Sequence, residues 1–264
     1  MGSGAERRYQ KGEPTSIRSS AARSRQSLAV IPQNLAKLKD LAELSPDRLL
    51  ALTNRISVHR FAKRSLIYRE GQLGDGLYIM LSGIAKLTCL NRKGERVLLE
   101  VLGPGDVVGI PSLLPDVRHQ LRCEAFTDCR LGLLGVKELV EGVVGLPFGD
   151  FGVALRLTMG RWWHLLVRHA DSMTQNLGER VGIALLDLGS KFGAQDERGT
   201  ILNVRLTYQE IADLVDGQRQ SVSICLKKLA REGALIQEGR RLIILPKQLQ
   251  AILSPNCMPD SQAV

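Results

Sequence analysis

The segment Leu206–Leu245, LTYQEIADLVDGQRQSVSICLKKLAREGALIQEGRRLIIL, decides how the chain is read. Thr207-Tyr208-Gln209-Glu210 fits a capping box, in which a Thr hydroxyl and a Glu carboxylate satisfy each other's backbone amides at a helix start. Ile211, Leu214 and Val215 then form the apolar stripe of a short helix. Asp216-Gly217 makes a turn. A second helix follows, with Val222, Cys225, Leu226 and Leu229 on its inner face and Gly233 suited to its C-terminal cap. Leu235 to Leu245 reads as two strands around Glu238-Gly239. The second helix carries Arg219, Lys227, Lys228 and Arg231, with no acid before Glu232.

Two short helices at this separation, the second basic and followed by a strand pair, describe a winged helix-turn-helix. Its second helix would enter a DNA major groove and read base edges near its N-terminus. The outward residues there are Arg219, Gln220 and Ser223. Arg pairs bidentately with guanine and Gln with adenine. Lys227 and Lys228 lie further along and suit phosphates. Thr207, Gln209, Gln218 and Ser221, at the two helix starts, complete the DNA-binding candidates. The plainer alternative is a helical hairpin with a solvated basic face. Cap, turn, stripe, charge and wing together favour double-stranded DNA.

The rest of the composition agrees. Among 264 residues the formal net charge is +9, and an excess of that size concerns partners rather than fold. With 44% hydrophobic residues the chain can bury a sizeable core. Its five cysteines are scattered without a CxxC pair. There is no secretory segment and no apolar run long enough to span a bilayer, so a cytoplasmic protein away from membranes is expected.

Working towards the N-terminus, Val181 to Phe192 reads as a helix ending near Gly193, followed by a polar link over 194–200 and a short strand. Before it, Leu155, Met159, Trp162, Leu166, His169 and Met173 recur at steps of three and four. That is one face of a long helix and a candidate dimer seam. From Arg60 to about Leu134 the texture is different: short apolar runs broken by glycines at 71, 74, 76, 83, 94, 103, 105 and 109. These read as strands of a small antiparallel barrel or jelly roll, with a hairpin turn at Asn91–Gly94 and a tight corner at Pro104-Gly105-Asp106. Ala36 to His59 reads as helical. The expected organisation is a disordered basic tail (1–33), a β-roll (34–146), a long helix (147–176), a winged helix-turn-helix (177–250) and a flexible tail (251–264). The fold class is α+β.

Taken together, YREGQLGDGLYIMLSGIAKL (68–87), Lys93-Gly94, LGPGDVVG (102–109) and LTYQEIADLVDGQRQSVSICLKKLAREG (206–233) resemble the cyclic AMP receptor protein and fumarate–nitrate reduction regulator (Crp/Fnr) family of bacterial transcription factors. The resemblance covers about Leu35 to Leu245. It implies a β-roll sensor, a long dimerisation helix and a winged helix-turn-helix. Such homodimers bind inverted-repeat sites, and many contact RNA polymerase.

The departures from the family bear on the effector. Cyclic-AMP binders place a Glu after the GD..G turn, where this chain has Ile110. Their Arg-Ser pair for the cyclic phosphate falls near His119-Gln120, with Arg118 beside it. Their Thr-Ser pair on the long helix falls at about Leu165-Leu166. The effector-pocket candidates are therefore Val108, Gly109, Ile110, Pro111, Ser112, Arg118, His119, Gln120, Leu165 and Leu166, and cyclic AMP is not the expected ligand. Control by an unidentified small molecule and control by abundance both stay open. An iron–sulfur centre is not expected, because no Cys precedes Cys89, and no cofactor is assigned. His119 and Cys123 are read as structural rather than as ligands of haem or metal. On the reading helix, relatives commonly carry Glu and Arg where this chain has Gln220 and Ile224. Its target sequence should differ accordingly, with Ile224 able to touch only a thymine methyl.

Two other classes compete. A metal-dependent enzyme on a cupin-like barrel would need clustered His and Glu ligands. The four His at 59, 119, 164 and 169 form no HxH, and no GxSxG, P-loop or zinc motif occurs. A cyclic-nucleotide-responsive module acting on a protein partner is the closer alternative, and the winged helix argues against it.

Overall fold

A computed structural model describes residues 53–109, 117–135, 137–138, 166–167, 170, 173–239 and 241–253. The predicted basic tail (1–33), residues 254–264 of the predicted C-terminal tail (251–264), most of the predicted long helix, and the effector candidates Ile110, Pro111, Ser112 and Leu165 lie outside these residues. So do Leu155, Met159, Trp162 and His169. The first residues of the predicted C-terminal tail instead close the helix Pro246–Ile252, and Leu253 is buried.

Eight strands form the front half: β1 (Ser57–Phe61), β2 (Leu66–Tyr68), β3 (Gly76–Ser82), β4 (Ala85–Leu90), β5 (Arg96–Leu102), β6 (Val107–Val108), β7 (Arg122–Ala125) and β8 (Cys129–Gly135). They make two antiparallel four-stranded sheets, ordered β1-β8-β3-β6 and β2-β7-β4-β5. Tyr68, Tyr78, Met80, Ala85, Leu87, Leu102, Cys123, Ala125 and Leu131 are buried together between them. This is the expected roll. Its turns follow local chemistry. Asn91 accepts the amides of Lys93 and Glu95, each at 2.9 Å, to close the β4–β5 hairpin. Asp106 accepts the Gly103 amide at 2.8 Å to fix the corner before β6.

The roll begins earlier than the sequence suggests. Residues through His59 read as helical, but helix is seen at Thr53–Arg55 and Ser57–Phe61 is a strand paired with β8. That pairing is made with a partner more than 60 residues away, which local periodicity cannot register.

In the back half, α1 (Leu177–Phe192) starts on a complete Asn176/Glu179 capping box. The polar link after it is not a plain loop. β9 (Gly193–Asp196) and β10 (Gly199–Leu202) form a hairpin that extends the wing sheet, ordered β11-β12-β10-β9. The remaining elements are α2 (Tyr208–Leu214), α3 (Arg219–Arg231), β11 (Leu235–Glu238), β12 (Arg241–Ile244) and α4 (Pro246–Ile252).

The two halves share a core. Leu98 and Val101 of β5 are buried in one cluster with Leu185, Leu188 and Phe192 of α1 and with Ile211 and Ala212 of α2. The Phe192 ring lies against Gly103, where a Cβ would come within 2.6 Å of it. Polar contacts reinforce this boundary: the Leu98 amide donates to Asp213 at 3.1 Å, and Lys191 lies 3.8 Å from Glu100 and 3.6 Å from Asp106.

Candidate nucleic-acid interface

Local chemistry sets the start of α2. Thr207 accepts the Glu210 amide at 3.2 Å, and Glu210 accepts the Thr207 amide at 2.8 Å. Burial alone would raise the Glu210 pKa. Hydrogen bonds from Lys86 and Thr207 outweigh that and hold the carboxyl below its usual range.

The turn between α2 and α3 uses its two residues differently. Asp216 takes the left-handed conformation, at φ 49. Gly217 is needed for space: a Cβ there would lie 2.8 Å from a Leu177 methyl on α1. Arg180 of α1 grips the same turn. Its guanidinium donates to the carbonyls of Val215 at 2.9 Å and Asp216 at 3.3 Å, and to that of Gln175 at 3.0 Å. Arg180 thus joins the helix-turn-helix to the residues just before α1. Sequence reasoning missed it, because an Arg at the start of a helix carries no signature of what it will reach.

α3 buries Val222, Leu226 and Leu229 and leaves Cys225 half-buried. Its opposite side exposes Gln220, Ile224, Lys227, Lys228 and Arg231. Arg219 and Gln218 are exposed at its N-terminus, with Ser221 and Ser223 partly covered. Gly233 ends the helix at φ 74 in open space, and the Ala234 amide reaches back to the Leu229 carbonyl at 3.0 Å. The exposed face holds no acid, since none occurs between Arg219 and Arg231. Thr207 and Gln209 are exposed at the N-terminus of α2, where Gln209 donates to Asp213 at 2.8 Å. The β11–β12 wing pairs from Leu235↔Ile244 to Glu238↔Arg241. It is tied back to α2 by a hydrogen bond from Gln237 to the Tyr208 hydroxyl. Arg198 of the β9–β10 turn braces it through Glu238 at 2.5 Å. Two helices and a wing therefore present one polar, cation-rich surface.

In the roll, the effector candidates divide. Val108 and Gly109 are buried beside β3. Arg118 and Gln120 are exposed, and the Arg118 guanidinium donates to the Gly71 carbonyl at 2.8 Å. His119 between them turns inward, 3% exposed, and stacks on Tyr68 with ring centroids 4.0 Å apart. Its Nε2 lies 3.7 Å from Asp75 Oδ1, and Tyr78 donates to Asp75 Oδ2 at 2.6 Å. Burial works against ionisation of Asp75, but the adjacent His119 and the Tyr78 hydroxyl prevail and lower its pKa. The Tyr78 hydroxyl is pushed up, by burial first and then by Asp75. Leu166 and Met173, the described members of the predicted seam, are 60% and 74% exposed in the single chain. Among the described residues no group of three or more His, Cys, Asp or Glu side chains could hold a metal, and no helix is long and apolar enough to cross a membrane.

Comparison with known proteins accords with this arrangement. Residues 58–141 match the cyclic nucleotide-binding domain, and residues 179–252 match the Crp-like helix-turn-helix domain, together more than half of the chain. The chain belongs to the Crp/Fnr family of transcriptional regulators. It is 27% identical over 210 residues to a CRP-like cAMP-activated global transcriptional regulator of Mycobacterium tuberculosis, covering 80% of this chain and 93% of that one. It is also 27% identical to the nitrogen fixation regulation protein FixK of Azorhizobium caulinodans, over 70% of this chain and 73% of the relative. A solved CRP-family transcriptional regulator from Thermus thermophilus superposes with a TM-score of 0.61 at 26% identity, covering 74% of this chain and 96% of that one. The β-roll and the winged helix-turn-helix of this Crp/Fnr protein are thus those expected from the sequence.

Proposed function

We propose that this Crp/Fnr regulator works as a cytoplasmic homodimer that places two copies of α3 in successive major grooves of an inverted-repeat promoter site. The observation that carries the reading is the division of α3: apolar residues inward, and Arg219, Gln220, Lys227 and Lys228 outward with no acid among them. Arg219 and Gln220 read bases, with Ser223 beside them. Lys227 and Lys228 meet phosphates, and so do Thr207 and Gln209 at the start of α2. A second copy covers the apolar face that carries Leu166 and Met173, so residues 147–176 act as the dimerisation helix between a sensor (34–146) and a reading head (177–250). RNA polymerase is the further protein partner. No residue is assigned a catalytic role.

Cyclic AMP does not act on this roll in the family's usual manner. Arg118 is engaged at the surface, and the inward group is an imidazole beside a carboxylate.

The test is selection of sites from random duplexes by the purified full-length protein, followed by gel shift on the enriched sequence. An inverted repeat with half-site centres about one helical turn apart, roughly 10 base pairs, is expected. Enrichment of a single asymmetric half-site bound by one chain would overturn the dimeric reading. Failure to enrich any sequence would overturn the DNA-binding assignment of α3.

A further inference from the structure

Ile224 of α3 is 68% exposed. Single apolar side chains on a surface are ordinary. The position of this one is not. Successive helical residues turn by about 100°. Gln220, Ile224, Lys227 and Arg231 therefore form one stripe along α3, about half a turn from the buried Val222 and Leu229. Every other member of that stripe is polar or cationic, as are its neighbours Ser223 and Lys228. A protein-docking patch would surround Ile224 with further apolar groups. Here the flanking charges fit a polyanion, and the middle of the stripe offers neither donor nor acceptor.

On the edges of DNA bases in the major groove, one group is apolar: the C5-methyl of thymine. The side chain is also suited to a fixed contact. A β-branched residue in a helix has essentially one rotamer, so Ile224 loses little freedom on meeting its partner.

We propose that Ile224 is a specificity residue that reads the C5-methyl group of one pyrimidine in each half-site. The proposal rests on the DNA-binding reading above and adds the chemical group recognised. It also implies sensitivity to cytosine methylation at that position, because 5-methylcytosine presents the same methyl group at the same place on the groove edge.

The experiment uses the full chain and the duplex enriched by selection. Each thymine is replaced in turn by deoxyuridine, which removes only the methyl group, and affinity is measured by fluorescence anisotropy at fixed salt. At one position per half-site the loss should be about fourfold, the factor that corresponds to one buried methyl-sized group. With cytosine at that position, 5-methylcytosine should bind tighter than cytosine by a similar factor. Ile224→Ala should erase both differences. Alanine suits an exposed helical position, so the fold should survive. The proposal is overturned if no thymine is sensitive, or if the sensitivity persists in Ile224→Ala. Both outcomes leave sequence-selective binding intact, and so differ from a failure to select any site, which would overturn the underlying reading as well.

Discussion

Lys86 on β4 and Glu210 on α2 form an ion pair across the boundary between the β-roll and the helix-turn-helix, 124 positions apart in the chain. The ammonium also sits 3.7 Å above the Phe126 ring. Glu210 uses its second oxygen to accept the Thr207 amide. The carboxylate that starts the first helix of the helix-turn-helix is thus held by the β-roll. Glu210 thus ties the reading head to the roll beside the shared apolar core, with the Leu98 amide to Asp213 contact as its neighbour.

Lys86→Ala should lower unfolding stability by about 1.5–3 kcal/mol at neutral pH, the range for a hydrogen bond to a charged group. Glu210→Ala should cost about 1 kcal/mol more, because the cap is lost with the ion pair. The Glu210 pKa is depressed in the folded protein, so its contribution is present above the ordinary carboxylate value and is lost as pH falls through the folded one. Urea titrations across pH check this. Wild type and Lys86→Ala should differ at pH 7 and converge in acid. A gap that does not narrow in acid would mean that Lys86 acts through packing on Phe126 alone.

Arg219→Ala and Gln220→Ala should each cost about 1–3 kcal/mol of specific binding and relax preference at particular base pairs. Lys228→Ala should weaken all sequences alike and flatten the dependence of log affinity on log salt by about one unit. Lys228 is exposed and only loosely matched by Glu232 at 3.8 Å, so it is available to a phosphate. Anisotropy titrations on specific and scrambled duplexes at several salt concentrations separate the two behaviours. A changed base preference in Lys228→Ala without one in Arg219→Ala would reverse the orientation assigned to α3.

Arg180→Lys should lower stability by about 2 kcal/mol, because an ammonium cannot span the three carbonyls of Gln175, Val215 and Asp216 that the guanidinium reaches. Thermal denaturation measures that loss. Affinity for an inverted repeat should fall further than affinity for a single half-site, because the spacing of the two heads is what the clamp fixes. An equal fall on both would make Arg180 a simple stabiliser of the turn.

What was legible in the sequence was local. The Thr207/Glu210 box, the Asn91 turn and the Asp106 corner each close within a few residues, and the side chains that close them are visible in any window. The inward stripe of α3 is legible for the same reason. The strand Ser57–Phe61 and the hairpin strand Gly193–Asp196 were not, because each is defined by its partner strand and lacks an alternation of its own. Lys86, Asp213 and Arg180 were missed for a related reason. Each is an unremarkable charged residue until the fold brings its partner to it. The inward stacking of His119 on Tyr68 was not legible either, because it depends on β2 and β7 lying side by side.

Leu166→Asp should give a monomer or a misfolded chain. If Leu166 lies in the seam, the substitution buries an unpaired carboxylate twice per dimer. Its 60% exposure in the single chain leaves it free for a partner. Sedimentation at micromolar concentration and circular dichroism distinguish the two results. A folded Leu166→Asp dimer with undiminished affinity for the inverted repeat would show that this face is not the seam.

Cyclic AMP should give no binding heat in calorimetry and no gain in DNA affinity. A cyclic phosphate needs a cationic or donor-rich partner when it leaves water. Where the family's Arg-Ser pair falls, this protein turns His119 onto Tyr68 and places Asp75 Oδ1 3.7 Å from the imidazole. Asp75 is a carboxylate at neutral pH, since its pKa is lowered, and its charge would repel a phosphate lodged there. Arg118, the nearest guanidinium in sequence, is exposed and bound to the Gly71 carbonyl. The control is Asp75→Asn, which removes the negative charge at nearly constant volume. If repulsion is the deciding term, this variant should take up cyclic AMP more readily than wild type. A micromolar dissociation constant for cyclic AMP on the wild-type protein, with tighter DNA binding, would mean that the roll rearranges around the nucleotide and frees Arg118 to hold it.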